Sequence, residues 1–532
     1  MMKKELAHIA LTIFGIFTLA VHGNAQELTE EFLAELKVLP LRSALARGIQ
    51  KNLELQIQEL NIPISRQEVT ATEAEFDPAV DASFFSLEQK SPTGSSFSTE
   101  ETFNLSRETG GDIGIRKKFT FGLQSRLSFE VSRSMNNSAT DALRPQYHNF
   151  LILNLTQPLL RDFGTKVNTA NLRISKNQVN QTVYNYMERA QRIASEIELA
   201  YYELAEALEV LRYRIESREL ARELLRGNRE KFERGLVPIT EVQQAETAVA
   251  ARDEQVVFAR QQVEMVSNRL KDFLEIRPGD PLYGELFATE KIPGVDQSFP
   301  DLEKALAVAL EKRPDLERQR IDIANRDIRL EFCRNQRLPR IDLEATLGVN
   351  GLSGGDRLIT FGGTTASSPL VGDYLDSLSR MAEHDGYEWF VGLRFSYPLG
   401  NRAAKARFRR ADWEKRQAIY RLKRLEGKVE TEVKNALVAV VRSAERVRVA
   451  ERFERLAEKT LEQEMERLKE GLSDTFHILD LQDDLIEACI RKTTALVDFH
   501  QGLASLYRAM GTNLERFRII AEINMKEITH AE

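Results

Sequence analysis

Long apolar runs, cysteines and prolines are all scarce in this 532-residue sequence. After residue 25 no apolar run approaches the ~20 residues of a membrane-spanning helix, so the rest of the chain holds no helical span. The two cysteines, Cys333 and Cys489, are too few for a disulfide framework. Both fall in helical pattern and read as small packed apolar residues. Base is not in excess: 74 Lys and Arg against 81 Asp and Glu leave a net charge of −7. Binding to phosphate backbones needs a basic face, so no nucleic-acid partner is expected. The 7 His are scattered, and neither a metal-ligand spacing nor a cofactor motif is present. What remains is 42% hydrophobic and 29% charged, too apolar for a disordered chain. With only 15 Pro and 28 Gly, and many Ala, Glu, Leu, Arg and Gln, it favours long helices.

The first 25 residues read as a secretory signal. Lys3 and Lys4 precede an apolar stretch from Ile9 to Val21, and Gly23-Asn24-Ala25 forms a small-residue cleavage site. The stretch is short for a membrane anchor. An exported chain without a helical span is either soluble in the periplasm or inserted through a β-barrel.

At ~150 residues per domain the length predicts three or four domains. Internal similarity replaces that division with a duplication. Residues 41–81 align without a gap onto 302–342, pairing Ala44 with Ala305, Leu45 with Leu306, Leu55 with Leu316 and Pro78 with Pro339. A second match pairs Arg212 with Arg448, Leu225 with Leu461 and Gly235-Leu236 with Gly471-Leu472. The expected division is a signal peptide over 1–25 and a first repeat over 26–276. A linker over 277–300 follows, carrying Pro278, Pro281, Pro293 and Pro300, then a second repeat over 301–512 and a tail over 513–532.

Each half has one very long helical segment, 167–234 and 403–470, or ~100 Å at ~1.5 Å per residue. In the second, apolar residues from Leu422 through Val433, Val447 and Leu461 to Leu468 recur at steps of three or four. Shorter helices are predicted over 40–74 and 239–273, and over 302–335 and 474–511. Each short pair matches one long helix in length and is expected to lie antiparallel along it. Unrelated coiled coils are the alternative.

Between helices the period changes to two. Strands are expected over 80–88, 111–119, 123–133 and 149–157 in the first half, with 111–133 an extra hairpin about Gly122. Two more are expected over 341–349 and 389–397. In the last, Trp389, Val391, Leu393, Phe395 and Tyr397 form one face. Such alternation suits a sandwich, or a barrel with its apolar face to lipid. Stretches 91–99 and 351–368 read as exposed loops. Six strands cannot close a barrel, and open edges cannot face lipid. A membrane reading therefore demands several copies of the chain.

Gly351-Leu352-Ser353-Gly354-Gly355 matches a serine-nucleophile turn, but no helix follows and no acid–base partners stand out. It reads as an external loop, so no catalytic residue is assigned and the chain is not expected to be an enzyme.

The order and duplication of several short motifs resemble the TolC family of bacterial outer-membrane efflux proteins. Helices enter strands through Glu75-Phe76-Asp77-Pro78 and Arg337-Leu338-Pro339-Arg340. Strands exit through Gln157-Pro158-Leu159-Leu160-Arg161-Asp162-Phe163-Gly164 and Tyr397-Pro398-Leu399-Gly400. The helical turns carry Gly235-Leu236-Val237-Pro238 and Gly471-Leu472-Ser473-Asp474. The resemblance implies a mainly α fold with β: a long antiparallel helical barrel plus transmembrane β-barrel strands, built from two internal repeats. It implies a homotrimer in the outer membrane reaching into the periplasm, with 12 or 18 barrel strands per trimer. It further implies a passive exit duct with porin activity for a tripartite efflux pump or type I secretion system. Its partners would be outer-membrane lipid, a periplasmic adaptor (membrane fusion) protein and an inner-membrane transporter. Gly235, Leu236, Gly471 and Leu472 would be the periplasmic tips that meet the adaptor. Thr240, Glu241, His477 and Asp480 would be gate residues, with His477 and Ser473 departing from the family's ionic latch. Asp474 could equally be a simple helix cap. The competing reading is a non-channel periplasmic coiled-coil scaffold or adaptor.

Overall fold

A computed structural model describes residues 36–92, 103–295, 299–361 and 364–518; the predicted signal peptide and most of the predicted tail lie outside them. Strand β1 (Lys37–Leu39) leads into helices α1 (Leu41–Lys51) and α2 (Leu53–Glu73). Strands β2 (Ala79–Pro92), β3 (Phe103–Lys118), β4 (Gln124–Asn136) and β5 (Leu143–Pro158) follow. The long helix α3 (Ala170–Glu233) then turns back as α4 (Ile239–Phe273). The second half opens with β6 (Phe287–Thr289), α5 (Leu302–Lys312), α6 (Pro314–Asn335) and β7 (Arg340–Asp356). It continues through a small hairpin, β8 (Ile359–Phe361) and β9 (Thr364–Ala366), then α7 (Tyr374–Ala382) and β10 (Gly386–Ser396). It ends with α8 (Arg402–Lys469), α9 (Thr475–Ala509) and the single turn α10 (Asn513–Arg516). The chain divides into two compact units, one of residues 62–182 and 319–421, the other of the remainder.

The first unit is built on one six-stranded sheet in the order β10-β7-β5-β4-β3-β2, antiparallel throughout. The hairpin about Gly122 is therefore part of the same sheet as the other strands. Gly122 has φ of +105°, and a Cβ there would meet the Asp162 carbonyl, so both conformation and space demand glycine. Because side chains alternate along a strand, the register fixes two faces. One transverse row reads Trp389, Leu347, Leu153, Leu127, Ile115, Val80. The next row on that face reads Tyr387, Val349, Leu151, Phe129, Ile113, Ala82. The opposite face carries Phe390, Phe150 and Ile152 among polar residues and holds the ion pairs. There Arg126 pairs with Asp81 at 2.7 Å and Asp112 at 3.0 Å, and Arg394 with Glu344 at 3.0 Å. The edge strands β2 and β10 each have one neighbour.

Of the loop expected over 91–99, residues 91–92 end β2 and the rest lie outside the described residues, while the other loop expectation fails. Residues 351–356, expected in a loop, continue β7, with Ser353 opposite Tyr147 and Gly351 opposite Asn149. Pairing with β5 overrides the loop-like composition, and the glycines fit because backbone closes in on them: a Cβ on Gly354 would strike the Pro145 carbonyl. Ser353 is buried, its hydroxyl donating to the Asp373 carbonyl. It occupies no strand-to-helix turn.

In the second unit the apolar stripe of α8 meets the predicted partners. Val429, Val433, Val440 and Val447 pack with Phe499, Leu503 and Leu506 of α9, with Ala305 and Ala309 of α5, and with Leu316. Antiparallel pairing of α3 with α4 is tied by Arg214 to Gln255 at 2.8 Å and Arg222 to Asp253 at 3.1 Å. The linker contributes β6, which pairs in parallel with β1. Tyr201 pins this pair: its hydroxyl donates to the Leu39 carbonyl at 2.9 Å and accepts from the Glu290 N–H at 2.8 Å.

The helices predicted as unbroken over 40–74 and 302–335 are each interrupted, at Asn52 and Arg313, which are equivalent positions of the repeat. Both residues leave helical conformation, with ψ of 119° and 123°. The Asn52 side chain then caps the next helix, accepting from the N–H groups of Glu54 at 3.0 Å and Leu55 at 3.2 Å. In the second repeat Pro314 opens the next helix, where its missing N–H costs nothing.

Candidate functional site

The two helical turns are built alike. At Gly235, φ is +71°; its N–H reaches the Phe232 carbonyl at 2.8 Å, and the Leu236 N–H reaches Lys231 at 2.9 Å. At Gly471, φ is +72°; its N–H reaches Leu468 at 3.2 Å, and the Leu472 N–H reaches Arg467 at 2.9 Å. Each is a Schellman close, in which a left-handed residue lets two N–H groups satisfy the last carbonyls of the long helix. A Cβ on either glycine would meet nothing within 4 Å, so conformation rather than space selects glycine. Leu236 and Leu472, next along, are 69% and 68% exposed. Such a leucine ordinarily folds back on its helix; here both face solvent.

The restart of the following helices differs. Pro238 precedes α4 in extended conformation. Asp474 caps α9, its carboxylate accepting from the His477 N–H at 2.8 Å. The capping role anticipated for Asp474 is the one it has.

The structure separates the four predicted gate residues. Thr240, His477 and Asp480 are exposed. Glu241 is half-buried and engaged within its own chain, its Oε2 accepting from the Thr475 N–H at 3.2 Å. A carboxylate here complements the positive end of α9. The Glu241 carbonyl also accepts from Asn228 at 3.3 Å, and Asn228 donates to the Thr475 hydroxyl at 2.8 Å. Asn228 and Thr475 are buried. Asn228, Glu241 and Thr475 thus lock the two turns of one protomer to each other.

About three helical turns further along α4 is a second lock that sequence reasoning missed. Arg252 is 3% exposed. Its guanidinium donates to the Ser217 carbonyl at 3.0 Å, Gln482 Oε1 at 2.9 Å, Asp483 at 2.8 Å and the Leu479 carbonyl at 3.3 Å. One fork joins α3, α4 and α9, the use for which a planar, permanently charged group is suited. Nothing in the local sequence marks Arg252 among the many charged residues of α4.

A family model described as outer membrane efflux protein matches residues 45–274 and 305–512. Each of the two segments contains one of the turns above. Among solved structures, the chain is similar to the outer-membrane channel OprN, at 18% identity over 88% of this chain and 89% of that one, with a TM-score of 0.62. It is similar to the Campylobacter jejuni CmeC outer membrane channel at 19% identity over 92% and 88%, TM-score 0.60. It is also similar to the outer membrane protein VceC of Vibrio cholerae at 14% identity over 88% and 96%, TM-score 0.61. A comparison with curated protein sequences finds no match. The scaffold alternative gives way to these findings. The chain is a member of the outer membrane efflux protein family, an outer-membrane protein of TolC-like fold rather than an enzyme.

Proposed function

We propose that this protein is the exit duct of a tripartite efflux pump or type I secretion system, a passive homotrimeric channel opened at its helical turns by a periplasmic adaptor. The observation that carries the proposal is the sheet. One face carries apolar rows across all six strands, the other carries the sheet's ion pairs, and β2 and β10 are open edges among the described residues. Unpaired edges are not tolerated in hydrocarbon, and sheets of this two-faced kind line aqueous pores when closed. Three copies joined edge to edge would give an 18-stranded barrel with the charged face inward.

The helical unit supports the same assembly. Val257, Phe258 and Met265 of α4 are exposed, as are Val438, Val449 and Leu456 of α8. Apolar rows left uncovered on antiparallel helices mark contacts with another chain, and in a ring of protomers each row would meet the other. At the turns, Leu236 and Leu472 offer two equivalent apolar points for an adaptor. The domain boundaries expected from the sequence, at 26–276, 277–300, 301–512 and 513–532, accord with this reading, with cleavage of the leader after residue 25.

Photo-crosslinking from positions 236 and 472 in whole cells tests the adaptor step. Crosslinks to a membrane fusion protein, lost with Leu236→Asp and Leu472→Asp while trimers persist, are expected. Intact trimers that support export with both leucines replaced would overturn it.

A further inference from the structure

Helix α7 lies against the apolar face of the sheet rather than the charged one. Its contacts are to Tyr147 and Asn149 of β5 and to Gly351 and Ser353 of β7, which alternation places with Leu151, Leu153, Leu347 and Val349. Asn149 donates to the Ser377 hydroxyl. Ser353 donates to the Asp373 carbonyl. Tyr374 meets Tyr147 edge-on, with ring centroids 6.2 Å apart. A side chain at Gly351 would run into the Ser377 carbonyl and the Met381 backbone, so glycine lets the helix lie flush.

The helix is well made for its length. Asp373 and Asp376 form a reciprocal capping box. Arg380 donates to the carbonyls of Leu352 and Leu370, each at 2.9 Å. Asp373 and Asp376 are thereby engaged at the helix start, and Arg380 ties the helix to β7 and to the adjoining loop. With Ser377 and Met381 turned to the sheet, helical geometry puts Leu375, Asp376, Ser379 and Ala382 on the opposite side, with Glu383 at its end. Leu375 is 68% exposed.

We infer that α7 is an interfacial helix, seated on the outer wall of the barrel with Leu375 inserted at the headgroup level of the outer-leaflet lipid. The inference rests on the barrel reading above. Its occupant follows from continuity: below α7 the same face carries Tyr387, Trp389, Val391, Leu393 and Phe395, all exposed in the protomer. A short helix that presents Leu375 beside polar Asp376 and Ser379 at the rim of such a band fits the boundary between headgroups and acyl chains, where Tyr and Trp also collect. A second copy of the chain is the weaker candidate. It would join at the edges β2 and β10, whereas α7 sits over the interior strands β5 and β7. The helix would fix how high the barrel rides in the membrane and shield the gap where β7 outruns β10.

The test places an environment-sensitive fluorophore at Leu375→Cys, Val391→Cys and Glu388→Cys. The full chain carries Cys333→Ala and Cys489→Ala and is reconstituted as trimers in phosphatidylcholine vesicles. These exposed positions tolerate the label without disturbing packing. Expected is loss of Leu375 fluorescence with lipid brominated near the headgroup, little loss with aqueous iodide, and the reverse at Glu388. Iodide quenching at Leu375 with lipid quenching at Val391 overturns the inference alone. No quenching at Leu375 by either agent also overturns it, since the site would then be covered by protein. Iodide quenching at both Leu375 and Val391 overturns the barrel reading as well.

Discussion

Asn228 donates its side-chain amide to the Thr475 hydroxyl at 2.8 Å, across 247 residues of sequence. Both groups are buried, and Thr475 is held a second time through its N–H by Glu241. The turns that close the long helices of the two repeats are thereby one structure. Asn228→Ala should leave the Thr475 hydroxyl unsatisfied and destabilise the pair by about 1–3 kcal/mol. Hydrogen exchange should quicken over residues 231–241 and 471–478 with the rest of the protein unchanged. In planar bilayers the variant should open spontaneously more often than the wild type. Unchanged exchange at both turns would show that the link does not hold them.

Glycine has two different roles in the long helices, and alanine separates them. Gly235→Ala and Gly471→Ala force a side chain into left-handed conformation and should each cost about 1–2 kcal/mol, although neither meets a neighbour. Gly427, inside α8, also has open space around it but no positive φ. Gly427→Ala should stabilise by about 0.5–1 kcal/mol through helix propensity. Melting temperatures of the three variants check both signs.

Glu198 makes stability depend on pH. It is 1% exposed, and burial pushes its carboxyl up to about 7, against the opposing pull of Arg516 at 3.0 Å. Between about pH 4.5 and 7 the folded chain therefore holds a proton that the unfolded chain has released. This contribution is fully present below the lower value and lost as pH rises through the upper one, about 3 kcal/mol in all. His500 acts in the opposite sense. Burial lowers its pKa, so its contribution is present above its ordinary pKa of about 6.5 and lost as pH falls. The difference between wild type and Glu198→Gln isolates the first effect. Their melting temperatures should diverge with pH across that window, the wild type losing ground as pH rises.

The exposed rows on α4 and α8 should govern assembly rather than folding. Phe258→Glu and Val449→Glu alter side chains that are 61% and 70% exposed in the protomer, so secondary structure by circular dichroism should be retained. The trimer fraction by native mass spectrometry should fall sharply. Trimers undiminished in both variants would locate the interface elsewhere.

Legibility followed the range of the interactions. The α8 stripe, the strand alternation and the glycine turns are written in local spacing, and each is found where its pattern falls. The breaks at Asn52 and Arg313 were missed, although Pro314 marked one of them, because a single extended residue barely disturbs an apolar period. Helix α7 falls between the loop expected over 351–368 and the strand expected over 389–397, where no element was assigned, with Asp373 and Asp376 as its unrecognised caps. The extension of β7 through Ser353 depends on its pairing with β5, which composition cannot convey. At the turns, spacing located Gly235 and Gly471, but the partners of Glu241 and the Arg252 fork come from helices far apart in sequence.

Conductance of the purified, detergent-extracted protein in a planar lipid bilayer tests the central claim most directly. A closed ring of three six-stranded sheets predicts discrete, stable current steps from trimers. A chain recovered as a soluble periplasmic species, or trimers that insert and carry no current under any applied voltage, would contradict it.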